Sequence, residues 1–332
     1  MKPRALLRFL LARVDFLAEK HIRSRFRRVD IAVFHQFATP PSGGGHQFMR
    51  ALLVELRRRG YRIAENSFSR TSSPCLANSF NFDFDRLASL RPSGCRLVHR
   101  VDGPLSVYRG WDDGSDERVF RFNQRHAQAT IFQSQYSLLK HAELGFRFQS
   151  PVVIPNAADP RIFNPHGKIP FERGRKIRLV SVSWSDNPNK GLETFLWLDD
   201  NLDWTRYEYL FIGRIKASLL HFNVIQPVNP EKVASLLRQQ DIYIAASRND
   251  PCSNALIEGL SCGLPALFLD SGGHPELVRE AGLAFDSPSQ IPGLLEDLAS
   301  NYDKFQNHIQ VASIQEVADR YLEVLGINPA RE

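Results

Sequence analysis

What this 332-residue chain lacks narrows its possibilities first. It has only four cysteines, Cys75, Cys95, Cys252 and Cys262, and no two stand in a CxxC spacing. That argues against a zinc knuckle and a disulfide framework, and it suits a reducing compartment. No stretch approaches about eighteen uninterrupted apolar residues, so no transmembrane span is expected. The opening residues lack a small-residue cleavage site, and Arg8 and Arg13 break their apolar runs, so they read poorly as a signal peptide. There is no P-loop. Gly43-Gly44-Gly45 is no dinucleotide fingerprint either, because Phe48 holds the place of the third glycine. Internal repeats and low-complexity tracts are absent. What remains is 43% hydrophobic and 23% charged, enough for a sizeable core and against general disorder. The length suits two domains of about 150 residues each.

The formal charge is +6, and its location matters more than its size. Residues 1–30 hold nine Lys or Arg against Asp15, Glu19 and Asp30, which accounts for the whole excess. A nucleic-acid-coating protein more often spreads basic groups along a groove, so no nucleic-acid partner is expected. Leu6, Leu7, Leu10, Leu11, Val14, Leu17 and Ala18 recur at helical spacing in the same segment. Residues 1–28 therefore read as a basic amphipathic segment. It suits an anionic membrane surface, packing on its own protein, or contact with a partner protein.

Two rounds of alternating strand and helix follow. Strands are expected at 29–34, 61–65, 96–101, 129–132 and 152–154, with helices at 46–59, 116–128 and 136–144; residues 66–94 show loops and at most one helix. Residues 156–174, with Pro160, Pro165, Gly167, Pro170 and Gly174 spread through them, read as a linker. The pattern then restarts, with strands at 177–182, 207–212, 241–245 and 266–269, and helices at 191–198, 231–238, 253–262 and 275–280. The rest, from 289, is mostly helical. The expected fold class is α/β, two doubly wound Rossmann-like domains facing each other across a cleft. Their bounds are 29–156 and 174–310, with 311–332 as a C-terminal helix.

Four strand-to-helix joints carry the polar residues. In Ser247–Gly263, Asp250 lies in a loop at a strand's carboxyl end and Glu258 lies in the next helix. Such carboxylates accept hydrogen bonds from the hydroxyl pairs of a sugar or ribose. The amides of Cys252, Ser253 and Asn254 at the helix start could face a diphosphate. The dull alternative makes Asp250 a cap and Glu258 a solvated residue. In the second joint, Ser183–Gly191, Lys190 can neutralise phosphate and Ser183 or Ser185 can donate to it; otherwise Lys190 is a solvated loop lysine. Gly43–Gly45 lets backbone approach a ligand closely, or is only a permissive turn. In His99–Pro104, His99 could bind or polarise an acceptor and Asp102 could orient a hydroxyl or take its proton. Equally, His99 could be a satisfied histidine and Asp102 a turn residue.

Together these motifs resemble the family 4 retaining glycosyltransferases. The resemblance rests on Asp250 and Glu258, seven residues between them, inside Pro-Cys-Ser-Asn-Ala-Leu-like sequence closed by Cys262-Gly263-Leu264-Pro265. Ser271–Val278, Ile154–Asp159, Phe163-Asn164-Pro165 and the glycine loop extend it over nearly all of the chain after residue 29. It implies the GT-B architecture, a C-terminal helix returning to the first domain, and hexosyltransferase-like chemistry from a nucleoside-diphosphate sugar, UDP or GDP favoured. It places the acceptor on the first domain and the donor on the second, and implies no metal. Glu258 would then hold the ribose, Asp250 the transferred sugar, and Lys190, Ser183, Ser253, Asn254, Gly44 and Gly45 the diphosphate. Val228, within Gln226-Pro227-Val228, would lie near the base, and His99 and Asp102 near the acceptor. Asp83-Phe84-Asp85 spells the carboxylates of metal-dependent sugar transferases, but its Phe- and Asn-rich setting reads as a solvated loop.

Two departures stand out. The first carboxylate of the pair is usually Glu, and the arginine usual before the phosphate lysine is missing, so Arg214 or Arg248 is left to supply charge. An inactive nucleotide-sugar- or carbohydrate-binding protein is the alternative. The acceptor expected is a glycan or lipid-linked glycan in polysaccharide biosynthesis. The expected location is cytoplasmic, peripheral on the inner face of the membrane.

Overall fold

The computed structural model describes residues 29–38, 43–68 and 73–329. Residues 1–28, expected as a basic amphipathic segment, and residues 39–42 lie outside the described residues.

Among the described residues twelve strands fall into two six-stranded sheets, and every pairing is parallel. In the first, β1 (Ile31–Phe34), β2 (Ile63–Glu65), β3 (Cys75–Asn78), β4 (Leu97–Val101), β5 (Ala129–Phe132) and β6 (Pro151–Val153) lie in the order β2-β1-β3-β4-β5-β6. In the second, β7 (Ile177–Ser183), β8 (Tyr207–Gly213), β9 (Phe222–Ile225), β10 (Ile242–Ala245), β11 (Ala266–Leu269) and β12 (Gly282–Phe285) lie in the order β12-β11-β10-β7-β8-β9. The central strands are short and apolar because helices cover both faces: β1, β5, β10 and β11 are buried at every position.

Strand order reverses between β1 and β3 in one sheet and between β7 and β10 in the other. At such a switch point the helices leave to opposite faces and a crevice opens beyond the carboxyl ends of the strands. The segments after β1, β7 and β10 are the glycine loop, the Lys190 loop and the Asp250 loop.

The last helix, Ile314–Leu325, crosses back onto the first sheet's side. Ser313 and Glu316 close a capping box at its start. Val317, Tyr321, Leu322 and Leu325 share a core with Leu52, Leu53 and Leu56 of the helix Gly44–Arg58. Arg59 pairs with Asp319, and Arg96 Nε donates to the Val324 carbonyl at 2.9 Å.

The sequence expectations missed three strands and a helix. β3 hides in a Ser- and Asn-rich stretch, yet it is fully buried between β1 and β4. β9 and β12 are edge strands of four residues, too short for a periodicity to register. The five-residue helix Leu105–Arg109 was also unforeseen. Asp83 caps the helix Phe84–Leu90 by accepting from the Arg86 amide at 2.9 Å, which gives Asp83-Phe84-Asp85 a local structural use.

Candidate active site

A cavity of about 510 Å³ opens where the loops at the two switch points meet. Gly43, Gly44, Gly45 and Asp102 line it from the first half, and Ser183, Lys190, Val228, Asp250, Ser253, Asn254 and Glu258 from the second. The walls touch at glycines. A Cβ on Gly44 would lie 2.5 Å from Asn254 Cβ, and one on Gly103 would lie 2.6 Å from Pro251 Cβ, so no larger residue fits either place in this arrangement.

Asp250 is buried and held on several sides. Its Oδ2 accepts from Lys190 Nζ at 2.7 Å, and its Oδ1 accepts from the Cys252 amide at 3.2 Å. Behind it, Ser247 Oγ lies 3.4 Å from Oδ2 and 3.1 Å from His274 Nε2, and His274 Nδ1 meets the Leu269 carbonyl at 3.1 Å. Burial opposes the Asp250 charge, but Lys190 and then His274 outweigh it and hold the carboxyl below its ordinary range. Burial likewise opposes the Lys190 charge and is outweighed by Asp250 and Tyr108, so that ammonium is held more firmly than usual. Its Nζ lies 5.0 Å from the centre of the Tyr108 ring, which the helix Leu105–Arg109 brings across from the other half.

Glu258 is different. Among the described residues its carboxylate has neither a hydrogen bond nor an ion pair, and burial alone pushes its pKa up to about 8. It lies in the helix Asn254–Ser261, whose first turn is capped by Ser253 Oγ on the Leu256 amide. A largely buried, unpaired carboxylate is costly to keep unless something pairs with it in use.

Other contacts tie the halves around the cavity. Glu276 accepts from the Gln135 and Tyr136 amides at 2.8 and 2.7 Å, at the start of the helix Gln135–Glu143. Tyr136 Oη donates to Asn249 Oδ1 at 3.0 Å, and Asn189 Nδ2 donates to the Tyr108 carbonyl at 2.9 Å.

One expectation needs correction. His99 does not face the cavity: its ring is fully buried, meets the Ser79 carbonyl at 2.8 Å, and lies 5.3 Å from the Phe122 ring. Side chains alternate along β4, so His99 falls on the sheet face covered by the helix Ser115–His126 while Arg100 falls on the other. Arg214 borders a small pocket beside the cavity, together with Ser183, Ser185 and Lys190. Its guanidinium stacks 4.3 Å over Trp184, and Arg248 pairs with Glu193. Tyr108 and Gln133 also line the cavity, and neither sits in a recognisable sequence pattern.

Residues 206–312 match the family model described as glycosyl transferases group 1. Spore coat protein SA of Bacillus subtilis (strain 168) is 28% identical over 90 residues, a match spanning 25% of this chain and 24% of that one. Sucrose-phosphate synthase from Thermosynechococcus elongatus superposes with a TM-score of 0.65 at 14% identity, covering 90% of this chain and 94% of the other. Anabaena Alr3699/HepE, in complex with UDP-glucose, gives 0.62 at 13% identity over 91% and 97%. The fold is GT-B. Glu258, Asp250 and the helix that carries Glu258 all fall within the matched residues 206–312. Among the described residues no helix is long and apolar enough to cross a membrane.

Proposed function

We propose that the chain transfers a hexose from a nucleoside-diphosphate sugar to a hydroxyl of a glycan or lipid-linked acceptor, with retention at the anomeric carbon and without a metal, as a family 4 enzyme. The observation that carries this is Glu258, an unpaired carboxylate in the cavity wall that suits a ribose diol. The diphosphate lies over the Asn254 helix start and the glycine loop, where free amides and the helix dipole favour an anion. There it competes with Asp250 for Lys190. Release of that ion pair frees Asp250 for the hydroxyls of the transferred sugar. Pro227 and Val228 flank the base. Asp102, on the opposite wall, orients the acceptor hydroxyl and takes its proton as the sugar–phosphate bond breaks. UDP is favoured as the nucleotide because the similar HepE structure was obtained with UDP-glucose.

In this reading residues 29–156 form the acceptor domain, 174–310 the donor domain, and 311–332 a brace returned to the first. Residues 1–28 hold the enzyme on the anionic inner face of the cytoplasmic membrane. Co-sedimentation with anionic vesicles at low salt, full chain against 29–332, tests that anchor; equal binding by both removes it. The activity itself is tested by a thermal-shift screen of UDP- and GDP-sugars, followed by product identification with the donor that protects best. Protection by none of them counts against the reading.

A further inference from the structure

Arg100 heads the fully buried side chains by volume, and nothing above gives it a role. It sits on β4 beneath the first-half wall of the cavity. Its guanidinium donates to four side-chain oxygens. Nη1 reaches Asn78 Oδ1 at 2.8 Å and Asp102 Oδ1 at 2.6 Å, and Nη2 reaches Gln133 Oε1 at 2.7 Å and Asn156 Oδ1 at 3.0 Å. The Phe48 ring lies 5.0 Å from its central carbon.

A guanidinium only donates, so each amide around it turns its oxygen inward and its NH₂ outward. Two polar chains follow from that constraint. Asn78 Nδ2 faces His35 Nδ1 at 3.0 Å, and this nitrogen must then accept. His35 therefore carries its proton on Nε2 and donates it to His46 Nδ1 at 2.9 Å. His46 stands in the first turn of the helix that opens with Gly44. The second chain crosses the cleft. Asn156 Nδ2 donates to Asn254 Oδ1 at 3.1 Å, which leaves the Asn254 NH₂ turned toward Gly44. Asp102, with one oxygen held by Arg100 and its side chain 25% exposed, keeps its other oxygen for the cavity.

We propose that Arg100 is a positioning residue for transfer: it fixes Asp102 against the acceptor hydroxyl, and Asn254 and the glycine loop against the donor diphosphate. The inference rests on the cavity being the nucleotide-sugar site. Burial first, then His46 and Arg100, push the His35 pKa down to about 4, with Asp102 opposing, so the His35–His46 link stays neutral through ordinary pH.

The test has two readouts on the full chain. In ¹⁵N-histidine-labelled protein between pH 6 and 8, ring spectra are expected to show His35 protonated on Nε2 and bare on Nδ1. A proton on His35 Nδ1 overturns the orientation imposed by Arg100. Asn78→Asp keeps an oxygen for Arg100 and offers His35 an acceptor, so it should move the His35 proton to Nδ1; an unchanged pattern counts against the chain. The second readout is consumption of UDP-glucose. Arg100→Lys, which keeps the charge without the fork, is expected to lower kcat at least tenfold. The double variant with Asp102→Asn should be no more than twofold slower than the slower single. Losses that multiply, or wild-type kcat in a folded Arg100→Lys protein, overturn the role. If the wild type neither binds nor consumes UDP- or GDP-sugars, the donor reading fails, while the ring spectra still decide the Arg100 arrangement.

Discussion

Replacing Glu258 with Gln preserves its shape and removes its charge, and the structure sets what that should do. With its pKa near 8, about one molecule in ten carries an ionised Glu258 at pH 7, and ionising the rest costs about 1.4 kcal/mol. Each charge-assisted hydrogen bond to a ribose hydroxyl returns roughly 1.5–3 kcal/mol. Two such bonds outweigh the ionisation cost, so binding of a nucleoside diphosphate should strip the proton. Affinity should rise with pH from 6 and level off above about 8. The neutral amide keeps part of the contact, which leaves a loss of roughly tenfold to a hundredfold at pH 8 for Glu258→Gln, with a flat pH profile. Stability should move the other way. A folded-state pKa raised from 4.5 to about 8 gives stability that is complete below about 4.5 and lost as pH rises through 8. Glu258→Gln should therefore unfold at higher temperature than wild type, by a margin that opens across that window and reaches the order of a few kcal/mol. Calorimetric titration with UDP from pH 6 to 9, beside thermal melts at the same pH values, reads both. Undiminished, pH-dependent UDP binding by the variant refutes the role given to Glu258.

Three further outcomes follow from the same geometry. Gly44→Ala places a methyl 2.5 Å from Asn254 Cβ, so it should weaken UDP binding at least tenfold in titration, whereas Gly45→Ala meets open space and should change it less than twofold; equal effects would contradict the closeness of the walls. Asp250→Asn should leave UDP affinity intact or improved, because Lys190 loses its competitor, while steady-state transfer falls sharply. Loss of UDP binding in Asp250→Asn would reverse the roles of the two carboxylates. Asp250→Glu tests the departure from the usual residue: it should either raise kcat or lower it through crowding, and an unchanged kcat would place the side chain outside the reacting region.

Much of this architecture was legible in the residues because each buried parallel strand is a short apolar run ended by turn chemistry. Ala129–Phe132 and Ile242–Ala245 are examples. β3 was not, because Cys75-Leu76-Ala77-Asn78 is too short and too polar at its end to stand out; tertiary pairing with β1 and β4 makes it a strand. In the cavity, Asp250, Glu258, Lys190 and the glycines were visible because they sit at strand-to-helix joints. His99 was misplaced because a strand-end histidine gives no sign of which face it takes, and here an aromatic layer of Phe82 and Phe122 claims it. Arg100 is hidden in the sequence for the opposite reason. An arginine is expected at the surface, and only the four converging oxygens make it tolerable inside.

The central claim is sugar transfer with retention from a nucleoside-diphosphate donor, and the most direct measurement is proton NMR of the anomeric signals during turnover. The protein is given the UDP- or GDP-sugar that protects it best, with α-linked sugar and either an acceptor glycan or water. The expected result is loss of the donor signal with the α-configured product, or the α-anomer of the free sugar, appearing first. A β-configured first product, or no turnover of any donor in the panel, would contradict it.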